Sequence, residues 1–117
     1  MSQNLYPRAT EYRVKSGSRA TLEATIQDSA GTAKSLANTV TYSTGFWKVW
    51  KTDGTLIING AIIYSDRANG KITYALSATD TAIANAGNWE GEVELLNSAG
   101  VMSEQSKSFN FTIEESY

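Results

Sequence analysis

Apolar and polar residues alternate with period two along most of the chain. In "ATLEATIQ", Leu22, Ala24 and Ile26 share one face, while Thr21, Glu23, Thr25 and Gln27 share the other. "TVTYS" sets Val40 with Tyr42, and "KITYALS" aligns Ile72, Tyr74 and Leu76. "NWEGEVELL" puts Trp89, Gly91, Val93 and Leu95 opposite Glu90, Glu92 and Glu94, the cleanest such run. "KSFNFTI" ends the series with Phe109, Phe111 and Ile113 on one face. This periodicity predicts half-buried strands, because successive side chains of a strand point to opposite faces of its sheet.

Turn residues separate the runs. Asp53-Gly54 predicts a two-residue hairpin of type I′, in which both central residues need positive φ. Asn69-Gly70 is a second candidate, and Asn97 to Gly100 a longer hairpin loop. "DSAGTAKS" breaks the alternation and reads as a loop. Only "SATDTAIANAG", Ser77 to Gly87, has helical character. Thr79 or Asp80 would cap it, Gly87 would end it, and it is too short for more than a turn or two. The expected architecture is an antiparallel β-sandwich of seven or eight strands, with a small barrel as the alternative. One domain is expected over residues 9–117, preceded by a loose or edge-docking arm over residues 1–8. Its core is expected to hold Leu22, Ile26, Val40, Trp47, Ile72, Tyr74, Trp89, Val93, Phe109 and Phe111.

"GFWKVWKTDGT" interleaves aromatic and basic residues. As a strand, it places Trp47, Val49 and Lys51 on one face and Phe46, Lys48 and Trp50 on the other. Lys51 adjoins the turn and can reach water, whereas Lys48 in mid-strand cannot do so from a core. Trp47 and Val49 therefore point inward. Gly45 would mark a bulge that resets the register after "TVTYS". An outward Phe46–Lys48–Trp50 strip is more aromatic than a solvated strand needs. Either the N-terminal arm, through Leu5 and Tyr6, or a loop covers it, or it is a protein–protein contact; a sugar or single-stranded nucleic-acid platform is a further alternative. The candidate interface is thus Leu5, Tyr6, Phe46, Lys48 and Trp50, with the arm coming from a neighbouring copy.

Composition narrows the chemistry. Ten Lys and Arg against twelve Asp and Glu give a net charge of -2, which disfavours nucleic acid, whose non-specific affinity needs a basic excess. The 117 residues contain no His and no Cys, and most general-base, nucleophilic and transition-metal sites use one or the other. No catalytic residue, cofactor or metal site is expected, and the protein is not expected to be an enzyme. Glu90, Glu92 and Glu94 read as a solvated face rather than a metal or acid–base site. Asp28, Asp53, Asp66 and Asp80 could meet at a rim around calcium but lack a dense ligand spacing. No apolar run resembles a signal peptide or a membrane span, so a soluble protein made in the cytoplasm and without membrane contact is expected. A small-molecule ligand is not expected.

The second half of the chain carries a resemblance. It has a strand ending in the Asp53-Gly54 turn, then "GKITYAL", the "TDT" crossing, "AGNW" opening an acidic strand, and the closing "FNFTI". Over residues 20–113 this resembles the immunoglobulin-like N-terminal domain of phage baseplate upper proteins and related tail and virion domains. The resemblance implies an immunoglobulin-like sandwich in a non-enzymatic virion structural protein of the tail or baseplate. Its implied partners are other virion proteins and further copies of itself, and its location is the virion. The chain stops at Tyr117, so the shoulder, linker and receptor-binding-protein docking regions that follow in those proteins are expected to be absent. Capsid decoration, a carbohydrate or cell-surface binding module, and an adaptor or inhibitor of a host protein are the alternatives.

Overall fold

A computed structural model describes residues 5–6, 11–106 and 108–115. Ten short strands follow in the order β1 (Leu5–Tyr6), β2 (Glu11–Lys15), β3 (Thr21–Ile26), β4 (Thr44–Trp50), β5 (Leu56–Ala61), β6 (Ile63–Asp66), β7 (Lys71–Ala75), β8 (Gly87–Leu96), β9 (Met102–Gln105) and β10 (Phe109–Glu114). One sheet has the order β1-β3-β7-β6; the other has β2-β10-β8-β4-β5, with β9 also on β8. The fold is the expected β-sandwich. All strand pairs are antiparallel except β2 with β10, which run parallel from Glu11↔Asn110 to Lys15↔Glu114.

Two irregularities shape the sheets. β5 runs directly into β6 across buried Ile62, whose N–H donates to Gly45 O at 3.0 Å, so one extended run serves both sheets. β8 pairs with β10 over Gly87–Gly91 and with β9 over Glu94–Leu96, along the same edge. Between these ladders Ser106 fills the gap. The Val93 N–H donates to Ser106 Oγ and the Ser106 N–H to Val93 O, both at 2.9 Å.

An aromatic cluster centres the core. Trp47 stacks on Tyr74 of the opposite sheet, with centroids 6.1 Å apart and planes 16° apart. Tyr12 meets Trp47 edge-on at 5.0 Å, and Phe109 leans on Trp47 at 5.1 Å. Such offset and edge-on contacts suit the ring quadrupoles. Two glycines make room for them. A Cβ on Gly60 would lie 2.2 Å from Tyr74 Cε1, and one on Gly91 2.6 Å from Phe109 Cε1. Tyrosine hydroxyls cross between the sheets, Tyr12 Oη donating to Glu23 O at 3.0 Å and Tyr64 Oη to Thr44 O at 2.6 Å. Trp47 Nε1 is buried without an acceptor among the described residues.

Eight of the ten expected core residues are buried; Val40 and Trp89 are not. Val40 is 65 % exposed because "TVTYS" is a turn rather than a strand. Asn38 Oδ1 accepts the N–H groups of Val40 and Thr41, and Tyr42 N–H bonds back to Asn38 O. These local bonds offer the backbone an alternative to a ladder. Only Tyr42 turns inward, beside Leu36, and Arg67 holds the segment by donating to Leu36 O and Tyr42 O. Gly45 consequently resets no register. It lies in the continuous β4, tight against Glu94 O. Trp89 is half-buried near the start of β8, where its Nε1 donates to Asn85 O at 2.7 Å.

The hairpin at Asp53-Gly54 exists but is not type I′, since no described non-glycine residue has positive φ. Gly54 N–H bonds to Lys51 O and Lys51 N–H to Thr55 O, with Gly54 alone at φ 90. Asp28 to Thr32 and Asn97 to Val101 close in the same way, each around a glycine at positive φ. In both, the first side chain accepts two backbone N–H groups. A type I turn followed by a left-handed glycine is the common form of such loops. In "SATDTAIANAG" only Ile83–Asn85 is helical, as a 3-10 turn. Ahead of it Ser77 and Asp80 exchange bonds across a separate turn, the 3-10 turn itself starts after Ala82 with no side-chain cap, and Gly87 opens β8.

Replacing Trp47 with Ala is expected to cost about 3–5 kcal/mol, whereas Trp89→Ala costs no more than about 2 kcal/mol. Thermal unfolding of the two variants checks that order. Burial raises the pKa of Tyr12, Tyr74 and Tyr64, the last to about 12. These phenols lose their protons in the unfolded chain at about pH 10. The folded state binds more protons above that pH, so the stability they contribute is full below pH 10 and falls as pH rises further. Denaturant midpoints measured from pH 8 upward should stay level and then decline above about pH 10.

Candidate functional site

The outer face of the six-stranded sheet collects the residues singled out on β4. Along β4 the buried positions are Gly45, Trp47 and Val49, so Phe46, Lys48 and Trp50 face outward, each half-buried. β8 lies beside them with its glutamates outward. The register sets Phe46 opposite Glu94, Lys48 opposite Glu92 and Trp50 opposite Glu90. Lys48 Nζ reaches diagonally to Glu94 Oε1 at 2.9 Å. Glu92 is bonded by Gln105 of β9. The acidic row is therefore partly neutralised and shares its surface with two large aromatics, which a simply solvated face would not do.

Towards β2 the face deepens into an open groove of about 640 Å³. Trp50, Lys51, Thr52 and Gly54 form one wall, Glu11, Asn110 and Thr112 the other, and Asn88, Trp89 and Glu90 lie between. Thr112 Oγ1 donates to Asn88 Oδ1 at 2.8 Å, which ties the floor to the far wall. Lys51 Nζ stands 5.5 Å from the centre of the Trp89 ring. The turn above is stiffened by Asp53, whose Oδ1 accepts the Thr55 N–H at 2.9 Å. Thr55, first through its hydroxyl and then through that N–H, lowers the pKa of the Asp53 carboxyl.

Leu5 and Tyr6 are placed elsewhere. They form β1, paired with Ile26 and Thr25 on the edge of the other sheet, so a single chain does not bring them to the strip. Glu11, Asn88, Asn110 and Thr112 were not anticipated. Their outward positions were legible in the alternation, but their meeting depends on the parallel pairing of β2 with β10. The four candidate aspartates do not converge. Asp28, Asp53, Asp66 and Asp80 each serve a separate turn. Among the described residues no group of three or more acidic side chains could hold a metal ion, and no helix is long and apolar enough to cross a membrane.

The Lys48–Glu94 pair is mostly shielded from solvent, so its coupling in a double-mutant cycle with Lys48→Met and Glu94→Gln should be about 0.5–1 kcal/mol. The coupling should shrink with added salt. Denaturant titrations of the four proteins at low and high ionic strength measure both quantities.

Comparison with solved structures finds the same fold in several settings. The N-terminal domain of phage TP901-1 ORF48 superposes with a TM-score of 0.67 at 16 % identity, covering 87 % of this chain and 82 % of that one. CopC from Methylosinus trichosporium OB3b gives 0.55 at 12 % identity, over 98 % and 96 % of the two chains. The fibronectin(III)-like modules of Clostridium thermocellum CbhA give 0.50 at 17 % identity, over 98 % and 99 %. At such identities the likeness establishes the immunoglobulin-like and fibronectin-like fold alone. Among curated protein sequences no match is found. The model of one sequence family, the BppU N-terminal domain, matches residues 4–117, and the chain belongs to that family of baseplate upper protein N-terminal domains.

Proposed function

We propose that this chain is a non-enzymatic structural component of the phage virion, a part of the tail or baseplate that works through protein–protein contacts. The observation that carries this reading is membership of the BppU N-terminal domain family over residues 4–117. The shared fold of the TP901-1 ORF48 N-terminal domain supports it. The chemistry is consistent with it, since the sequence offers neither His nor Cys and the aspartates serve separate turns.

The contact surface in this proposal is the Phe46–Lys48–Trp50 strip and the groove beside it. Aromatic residues anchor interface cores, and a charged pair within the patch gives orientation. The partner is another virion protein. Leu5 and Tyr6 of a neighbouring copy could cover the strip only by leaving β3, which would exchange the arm between subunits. Localisation in the virion follows from the same reading. Capsid decoration would use the same surface on a different partner.

A second reading has one observation in its favour. The groove combines Trp50 and Trp89 with Asn88, Asn110, Glu11 and Glu90, a mixture of rings and hydrogen-bonding groups that suits a sugar.

Replacing Phe46 and Trp50 together with Ser should leave the cooperative unfolding transition in place. Binding to purified tail or baseplate particles should weaken by about 2–4 kcal/mol. Unchanged particle binding would place the contact elsewhere. Quenching of tryptophan fluorescence by glycans, with no particle binding, would favour the sugar module.

A further inference from the structure

Beyond the two-residue β1, the sandwich has one edge strand that carries neither charge nor proline. Edge strands present unpaired N–H and C=O groups, and proteins shield them with charges, proline, shortness or bulges. β2 carries Glu11, Arg13 and Lys15, β9 carries Glu104, β6 ends on Asp66 and β1 is two residues long. β5 closes the six-stranded sheet opposite β2, and no charged residue occurs from Gly54 to Ser65. Its one bulge lies at the turn end, where the register passes from Val49↔Ile58 to Trp50↔Leu56 and leaves Ile57 of β5 as the extra residue; beyond it Ile58 to Ala61 pair regularly with β4. Leu56 at its start is 41 % exposed, and Ile63, which opens β6 just beyond it, is 65 % exposed.

The direction of the free groups can be worked out. The bond from Ile62 N–H to Gly45 O marks that pair as hydrogen-bonded. Alternation along an antiparallel ladder makes Trp47–Gly60 and Val49–Ile58 hydrogen-bonded as well. Asn59 and Ala61 then turn their N–H and C=O away from β4, toward the open side. No described residue pairs with that side of β5.

We propose that the β5 edge pairs with β5 of a second copy, antiparallel about a two-fold axis at Asn59, joining two six-stranded sheets into one. The free groups are a backbone ladder, so their natural occupant is another extended strand. The second copy is favoured because an isologous contact sets each residue near its own equivalent. Charged strands would then repel, and β5 has no charge to oppose. Asn59 carries both a donor and an acceptor and can bond to itself across the axis. The contact uses neither the Phe46–Trp50 strip nor the groove, so it stands independently of the proposed function.

Sedimentation over micromolar to millimolar concentration should show the 12.7 kDa chain passing to twice that mass. Hydrogen exchange at Asn59 and Ala61 should slow in parallel. Asn59→Lys sets like charges face to face, and Asn59→Pro removes an edge donor without touching the β4 ladder. Each should raise the dimer dissociation constant on the order of tenfold or more, equivalent to ~1.4 kcal/mol. Thermal unfolding of Asn59→Lys at low concentration should match the parent, which keeps the test valid if the proline variant fails to fold. The double Phe46→Ser, Trp50→Ser variant should dimerise as the parent does. A chain that stays monomeric throughout overturns the proposal, as does unaltered association of Asn59→Lys. Protection of Asn59 and Ala61 only after another protein is added would assign the edge to a foreign strand and equally overturn it.

Discussion

The stack of Trp47 on Tyr74 is the contact around which the two sheets are fitted. It joins β4 to β7 across the sandwich, and both rings owe their positions to an absent side chain. Gly60 sits beside Trp47 on β5, where any Cβ would strike Tyr74. Gly91 plays the same part on β8 for Phe109. Glycine weakens a strand by itself. Here the lost packing is replaced by rings from neighbouring strands that lie over the bare backbone. Tyr12 completes the cluster from β2 and bonds across to β3, so the edge strand of the six-stranded sheet is locked to both layers.

That arrangement fixes which way β4 faces, and the outer surface follows from it. With Trp47 and Val49 inside, Phe46, Lys48 and Trp50 must be outside, next to the glutamates of β8. The inner and outer faces thus divide the aromatic residues between two tasks. Those inside fill volume, and those outside give a water-facing surface an apolar, partly neutralised strip.

The alternating runs of β3, β7, β8 and β10 were legible in the sequence because each buries one face only, and period two survives in the residues. "EYRVK" has the same signature, with Tyr12 and Val14 inward, but its pairing with β10 joins the two ends of the chain and leaves no local trace. "TLIINGAIIYS" shows no clean alternation because the strand changes sheets at Ile62. In "TVTYS" the apparent alternation was false. Asn38, three residues before Thr41, turned the chain instead, and only Tyr42 found the core. On the candidate site, the mid-strand lysine assigned the outward face from sequence alone. The groove could not be assigned that way, since its walls come from strands whose adjacency is purely tertiary.

The parallel pairing of β2 with β10 has a mechanical consequence. Glu11 begins one strand and Glu114 ends the other, and they lie at opposite ends of a ladder five residues long. Tension applied through the two ends of the chain would first strip the two-residue β1 from β3. It would then pull β2 and β10 past each other along their length. Their ladder bonds would be loaded together in shear, not peeled one at a time. Resistance to force is set by the rate of crossing the unfolding barrier, and a shear geometry raises the force at which that barrier yields. A domain built this way can transmit load between neighbours in an assembly while remaining only as stable at equilibrium as its modest core allows.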